Sequence, residues 1–198
     1  MSFRIEEKIL IGKNEIIEFK KIYQKKFLKK LYQPRLIRSL YFENLNNDIY
    51  NDSVEGMLPR KKIRVRSYPN EEKNKFYLEK KISSVEGRFK QKKKIDNLDF
   101  EKIIKYGFYD DNYGCCKPLI YVEYERHYYI LDKMRLTHDS NIKYYLFQGR
   151  IVKYDENEIF EIKTNFNTDL NLLHSTFPMN RTRFSKYCNS YEKFFKRI

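Results

Sequence analysis

A chain of 198 residues suits a single domain and can bury a sizeable core. Its 41% apolar and 17% aromatic residues, with five prolines and six glycines, exclude a disordered chain. Lys and Arg outnumber Asp and Glu by 41 to 27, a formal charge of +14, so anionic partners are expected.

From the N-terminus, apolar residues at 3, 5, 9 and 11 alternate with charges at 4, 6 and 8, which predicts a strand. Asn14 can cap a helix whose apolar positions at Ile16, Phe19, Ile22, Tyr23, Phe27, Leu31 and Tyr32 recur at helical spacing up to Pro34. Its other face carries Lys20, Lys21, Lys25, Lys26, Lys29 and Lys30, a solvated basic surface in the simplest reading. Strands are then expected over 39–42, 62–68, 76–83 and 88–94, with turn-forming residues over 44–56, 69–72 and 84–87 between them. A short helix should follow from Asp96 or Asp99 to Tyr106, stopped by Gly107. Strand character returns over 119–131, 133–137, 143–153 and 159–164, a small helix over 168–177, and an amphipathic helix over 191–198. The fold class is therefore α+β and mainly antiparallel β, one domain over 1–198.

No run of about 18 apolar residues exists, and charges interrupt residues 1–10 where a secretory signal needs an apolar stretch, so no transmembrane segment and a cytoplasmic protein are expected. Cys115, Cys116 and Cys188 include an adjacent pair and lack zinc-ligand spacing, which reads as three reduced thiols. His127, His138 and His174 are scattered and read as surface or packing residues. The tyrosines read as core rather than as base-stacking platforms, so no sequence-specific nucleic acid is expected.

Residues two apart on a strand share a face, so the repeated charge-x-charge pattern gathers charge on one surface. Lys62, Arg64, Arg66 and Tyr68 are one set, with Ile63 and Val65 opposite. Arg4, Glu6 and Lys8, then Glu79 with Lys81, Arg88 with Lys90 and Lys92, Tyr124 with Arg126, Lys133 with Arg135, and Glu161 with Lys163 continue the series. A solvated sheet face explains any single strand; the repetition, and arginine at 64, 66, 126 and 135, point to convergence on an anion. Cations crowded to about 4 Å repel by roughly 1 to 4 kcal/mol per pair unless an anion joins them. Closing the sheet into a barrel would gather them round one channel. Arginine forks hold phosphate oxygens bidentately, and the carboxylates at 6, 79 and 161 make sense beside a magnesium or manganese ion bridging to phosphate. No G-x-x-x-x-G-K-[ST] loop is present.

The ordered pieces Arg4-Ile-Glu6-Glu-Lys8, Ser39-Leu-Tyr41-Phe42, Lys62-Ile-Arg64-Val-Arg66-Ser-Tyr68, Leu78-Glu79-Lys-Lys81, Arg88-Phe-Lys-Gln-Lys92, Tyr121-Val-Glu-Tyr124-Glu-Arg126, Arg135-Leu-Thr-His-Asp139, Phe160-Glu161-Ile-Lys163 and Phe184-Ser185-Lys186-Tyr187 span nearly the whole chain. In this order they resemble the vacuolar transporter chaperone (VTC) domain, a polyphosphate polymerase domain of the triphosphate tunnel metalloenzyme (CYTH-like) superfamily. The resemblance implies a closed or nearly closed antiparallel β-barrel tunnel with a few flanking helices. It implies that Lys8, Arg64, Arg66, Lys81, Lys92, Arg126, Arg135 and Lys186 contact phosphates together with Tyr124. Arg64, Arg66, Lys81, Arg126 and Arg135 would also hold the nucleotide. Glu161 matches the family's metal-binding carboxylate, with Glu6 as a second candidate. The implied reaction moves the γ-phosphoryl group of ATP onto a polyphosphate chain and releases ADP, with Mn2+ or Mg2+ as cofactor. Arg4 stands where hydrolytic relatives usually carry another glutamate, which favours the polymerase-like branch. A tripolyphosphate hydrolase of the same fold and a non-catalytic module that binds polyphosphate or another polyanion are the alternatives.

Overall fold

The computed structural model describes residues 4–12, 14–25, 28–71, 75–165 and 167–196. Among the described residues ten strands and five short helices follow one another. They are β1 (Arg4–Ile11), α1 (Ile16–Lys25), β2 (Lys29–Glu43), α2 (Asp48–Glu55), β3 (Arg60–Ser67), β4 (Phe76–Ser84), β5 (Gly87–Ile95) and α3 (Asn97–Tyr106). After them come β6 (Phe108–Asp110), β7 (Gly114–Leu131), β8 (Met134–Leu146), β9 (Val152–Tyr154), β10 (Glu158–Asn165), α4 (Leu170–Thr176) and α5 (Lys186–Phe195). The hydrogen-bonded path is β1-β10-β8-β7-β2-β3-β4-β5, with β6 on β7 and β9 on β8. The ladders β1/β10, β10/β8, β2/β3, β3/β4, β4/β5 and β6/β7 are all antiparallel.

The chain divides into two compact units, and each is built from three separate stretches. The first comprises residues 1–35, 124–142 and 154–184. Here alternation sorts the side chains: Ile9 and Ile11 of β1, Phe160 and Ile162 of β10 and Leu136 of β8 point to one face, where Phe19 of α1 and Leu173 of α4 cover them with Phe177. Phe19 meets Phe160 edge-on at 4.8 Å between centroids, a favoured aromatic geometry. The opposite face of these strands carries the charges. Glu7 lies on the apolar side, where Arg181 Nε pairs with it at 2.7 Å and His174 Nε2 lies 3.2 Å away. Residues 181 and 182 continue along β1, bridging Ile9 and donating Thr182 N to the Lys8 carbonyl at 2.9 Å.

The second unit comprises residues 36–123, 143–153 and 185–198. Ile63 and Val65 of β3 and Leu40 and Phe42 of β2 are buried, and α2 packs against β3 and α5. The buried carboxylate of Glu43 accepts the backbone N–H groups of Asn44, Ile49 and Tyr50 and the Tyr187 hydroxyl, tying the start of α2 to α5. Tyr50 stacks on Tyr191 at 3.9 Å.

Two expectations are corrected. The helix predicted over 14–32 ends at Lys25, and Lys29, Lys30, Leu31, Tyr32 and Pro34 belong to strand β2; Phe27 and Lys26 lie outside the described residues. The residue before a proline is pushed from helical to extended backbone, and Tyr32 finds an edge-on partner in Tyr128 at 5.6 Å. The stretch 44–56, read as a turn, contains α2, because Asn44 Oδ1 accepts from Asp48 N at 2.8 Å and Glu43 receives the next amides of the first turn. Boundaries shift elsewhere: 133–137 and part of 143–153 form one strand that ends at Leu146, and α5 starts at Lys186 rather than 191. Asp96 caps α3 by accepting from Asp99 N, and Gly107 at φ 87° ends it, both as expected.

Candidate functional site: two cationic sheet faces

In the second unit, antiparallel register sets the expected cations side by side. Tyr41, Arg64, Glu79 and Lys92 form one row across β2 to β5; Lys62, Lys81 and Lys90 form the next; Ser39, Arg66, Tyr77 and Lys94 flank it on the other side. Like charges directly opposite one another on neighbouring strands are destabilising, so three lysines in register concentrate positive charge on this face. Arg64 donates Nε and Nη2 to Glu79 Oε2 at 2.9 and 2.7 Å and Nη1 to the Tyr41 hydroxyl at 2.9 Å. Arg66 Nε lies 3.8 Å from the same oxygen and 3.5 Å from Ser39 Oγ. Lys90 Nζ closes on Glu79 Oε1 at 2.6 Å as an ion pair, without the alignment of a hydrogen bond. Lys92 Nζ sits 3.8 Å from the Tyr77 ring centroid, a cation–π contact. Lys62 donates to Ser185 Oγ at 2.8 Å, the hydroxyl that also caps α5. Lys186 is the first residue of that helix and so belongs to no strand.

The charges act on one another. Burial pushes the Glu79 carboxyl up, but Arg64, Arg66 and Lys90 outweigh it and hold the group down at about 2. Burial likewise opposes the loss of the Tyr41 proton, yet Arg64, Arg66 and Lys62 draw that hydroxyl below its ordinary value. Burial, with Lys81 and Arg60 nearby, pushes the Lys62 ammonium down.

In the first unit, β1, β10 and β8 align Lys8 with Glu161 and Thr137, and Glu6 with Lys163 and Arg135. Glu161 is buried, with Lys163 Nζ at 2.8 Å and Arg126 Nη2 at 3.9 Å. Desolvation would raise its carboxyl; Lys163, Glu6, Arg126 and Lys8 bring it well below the usual carboxylate range. Arg126 is fixed by two short bonds to the fully buried Asp139, Nε to Oδ1 at 2.5 Å and Nη2 to Oδ2 at 2.6 Å. Its guanidinium stacks over the buried Tyr124 ring at 5.2 Å. Lys8 Nζ donates to the Phe184 carbonyl at 2.7 Å. Arg135 is exposed opposite Lys163, another like-charge pair.

Two features of this face fit a hard divalent cation. Glu6 and Glu161 lie diagonally across the β1/β10 ladder, so two carboxylates share one face. The Thr137 hydroxyl, in register beside Glu161, is buried with no hydrogen-bond partner among the described residues. Among the described residues no three His, Cys, Asp or Glu side chains group as a metal site, so most of an ion's oxygen ligands would come from phosphate and water, as magnesium usually requires.

The expected residues thus fall on two faces: Arg64, Arg66, Lys81 and Lys92 on one, with Lys186 at a helix start in the same unit, and Lys8, Glu6, Tyr124, Arg126, Arg135 and Glu161 on the other. Sequence reading singled out neither Lys90 nor Lys62 as a site residue, although both sit in the charge-x-charge series. It gave no role to Asp139 or Thr137, whose partners depend on register. The three thiols are all unbridged, and burial pushes Cys116 up to about 12. No helix is long and apolar enough to cross a membrane among the described residues.

Fold and faces together define a mainly antiparallel α+β protein whose cationic sheet surfaces are each organised about a buried carboxylate. The VTC domain family matches residues 3–195, and the chain belongs to that family. Its fold is also that of a candidate adenylate cyclase from Bacillus halodurans, at 14% identity and a TM-score of 0.63 over 98% of each chain. A candidate adenylyl cyclase from Hippeastrum, described as having a dominant triphosphatase activity, matches at 14% and 0.58 over 96% of each chain. The Mediator head module of Schizosaccharomyces pombe matches at 12% and 0.51 over 90% of this chain and 96% of that one. At such identities the likeness is one of fold, in keeping with the mainly antiparallel α+β class expected from the sequence. No curated protein matches the chain.

Proposed function

We propose that the protein is a metal-dependent phosphotransferase that builds polyphosphate from ATP. The observation that carries this reading is the pair of cationic faces in a chain of the VTC family, with like-charged residues in register at Lys62, Lys81 and Lys90 and at Arg135 and Lys163. A chain bearing charge on every phosphoryl unit relieves that repulsion along its length.

The chemistry asks little of the protein beyond positioning and charge. A terminal phosphate oxygen of the growing chain is already ionised near neutral pH, so it needs no general base. It attacks the γ-phosphorus of ATP, the bond from that phosphorus to the β,γ-bridging oxygen breaks, and ADP carries away the electron pair. Charge spread over the transferring group is stabilised by guanidinium and ammonium donors already in place. On the first unit's face Arg126, clamped by Asp139, is such a donor, with Lys8 and Arg135 adding charge; on the second unit's face Arg64, clamped by Glu79 and Tyr41, is another, with Lys81, Lys92, Arg66 and Lys186 adding charge. Glu161 and Glu6 would hold Mn2+ or Mg2+, which when bound neutralises phosphate oxygens.

Purified protein given ATP and manganese should yield ADP and a polymer that resolves on a gel. Glu161→Ala should lose turnover and keep metal-free binding of tripolyphosphate. The Hippeastrum relative's triphosphatase activity motivates a second reading, hydrolysis of tripolyphosphate; orthophosphate release with no polymer would replace the first reading by it. Binding without turnover under either condition would leave a polyanion-binding module, consistent with fold not dictating function.

A further inference from the structure

The two buried carboxylates face different company. Glu161 lies diagonal to a second carboxyl, Glu6, across the β1/β10 ladder and stands beside the Thr137 hydroxyl, which is buried without a hydrogen-bond partner among the described residues, a donor set suited to a cation. Glu79 is surrounded by cations. Arg64 binds it through two nitrogens, Lys90 and Arg66 lie at 2.6 and 3.8 Å, and Lys92 stands opposite it in register. Lys62 and Lys81 lie one row away on the same face.

We infer that Glu79 is a resident counter-anion, a positioning residue that keeps the arginine forks and lysines of this face assembled before phosphate arrives. The inference rests on the proposed reading that this face binds phosphoryl groups, and it assigns Glu79 neither a metal nor a reacting atom. Neighbouring strands set opposite side chains only about 5 Å apart, where unneutralised guanidinium and ammonium groups repel and swing out to solvent. A carboxylate at the centre of the row removes that repulsion. By taking the Nε edge of Arg64 while Tyr41 takes Nη1, it also fixes the plane of the guanidinium. The arrangement costs one unit of attraction for the ligand and gains a face whose ordering entropy is already spent.

These two contributions have opposite signs, which makes the inference testable. Glu79→Gln raises the net charge by one, so simple attraction demands tighter binding of an anion, whereas loss of positioning demands weaker binding. Calorimetric titration with tripolyphosphate in EDTA, at several salt concentrations, should show affinity falling about tenfold in Glu79→Gln, the size of a lost charged hydrogen bond. The slope of log affinity against log salt should not flatten, since no phosphate contact is removed. In an Arg64→Ala background the same substitution should change affinity far less, because its partner is gone. Tighter binding in Glu79→Gln, or an undiminished loss in the Arg64→Ala background, would overturn the inference. If Glu79→Gln does not fold, Glu79→Asp serves: it keeps the charge but withdraws the carboxylate by one methylene, so weaker binding at an unchanged melting temperature supports positioning, and unchanged affinity refutes it. Failure of the unsubstituted protein to bind tripolyphosphate would instead count against the proposed function.

Discussion

Replacing Arg126 by methionine keeps most of the side chain's bulk and removes its charge, leaving Asp139 ionised, fully buried and without its bidentate partner. Breaking a buried pair from one side costs about 3 to 5 kcal/mol, because the remaining charge stays out of water. For 198 residues the unfolding entropy near 60 °C is about 0.4 kcal/mol per kelvin, so the melting temperature should fall by about 7 to 12 °C. Differential scanning calorimetry at neutral pH and low salt measures this directly. The companion variant Arg126→Met with Asp139→Leu removes both charges and should recover most of the loss, yet neither variant should bind tripolyphosphate as the parent does. A fall of under 2 °C in the single variant, or an equal fall in the double, would refute the claim that Arg126 is held by an ion pair it cannot lose cheaply.

Acid stability offers a second check. The Glu79 carboxyl is held down at about 2 in the folded protein against 4.5 for the unperturbed group, so its contribution is present in full above pH 4.5 and disappears as the pH falls towards 2. Between pH 5 and 2, urea unfolding of the parent should lose about 3 kcal/mol more than that of Glu79→Gln, and parallel curves would exclude the shift. Tyr187→Phe removes the hydroxyl donated to Glu43 but not the ring stacked on Tyr41 at 5.1 Å; a loss of about 1 to 2 kcal/mol, read by denaturant midpoint, is expected. Phe160→Ala, in the core of the first unit, should cost about 3 to 5 kcal/mol by the same measurement while leaving the charged face's sequence intact. Removing divalent metal with EDTA should stop turnover and spare tripolyphosphate binding to the Arg64 face, as gel and calorimetric assays can separate.

The strands that carry the site were legible because a two-residue period is local. Lys62, Arg64 and Arg66 share a face whatever the rest of the chain does, and Ile63 and Val65, read as lying opposite, are buried. What pairs with what was not legible, since register is set by segments far apart. Arg126 meets Asp139 across a hairpin and Lys8 meets Glu161 across more than 150 residues, and nothing near either arginine or lysine announces the partner. The error at β2 is of the same kind. Leu31 and Tyr32 fit a helical period as well as a strand, and pairing of the extended chain, helped by Pro34, decided the matter. Helix α2 was hidden because Asn44 and Asn47 look like turn formers, while the group that anchors its first turn, Glu43, falls between the strand expected over 39–42 and the turn expected over 44–56.

Strand β5 lies at one end of the hydrogen-bonded path and carries Arg88, Lys90, Lys92, Lys93 and Lys94 in nine residues, nearly all of them exposed. A terminal strand invites another chain to pair with it, and a dense row of lysines repels a second copy before it can dock. That protection is ionic and therefore conditional. A long polyanion that coats β5 without being drawn into a stoichiometric complex would silence the repulsion, so the protein should cloud near charge balance with polyphosphate and clear again when either component is in excess.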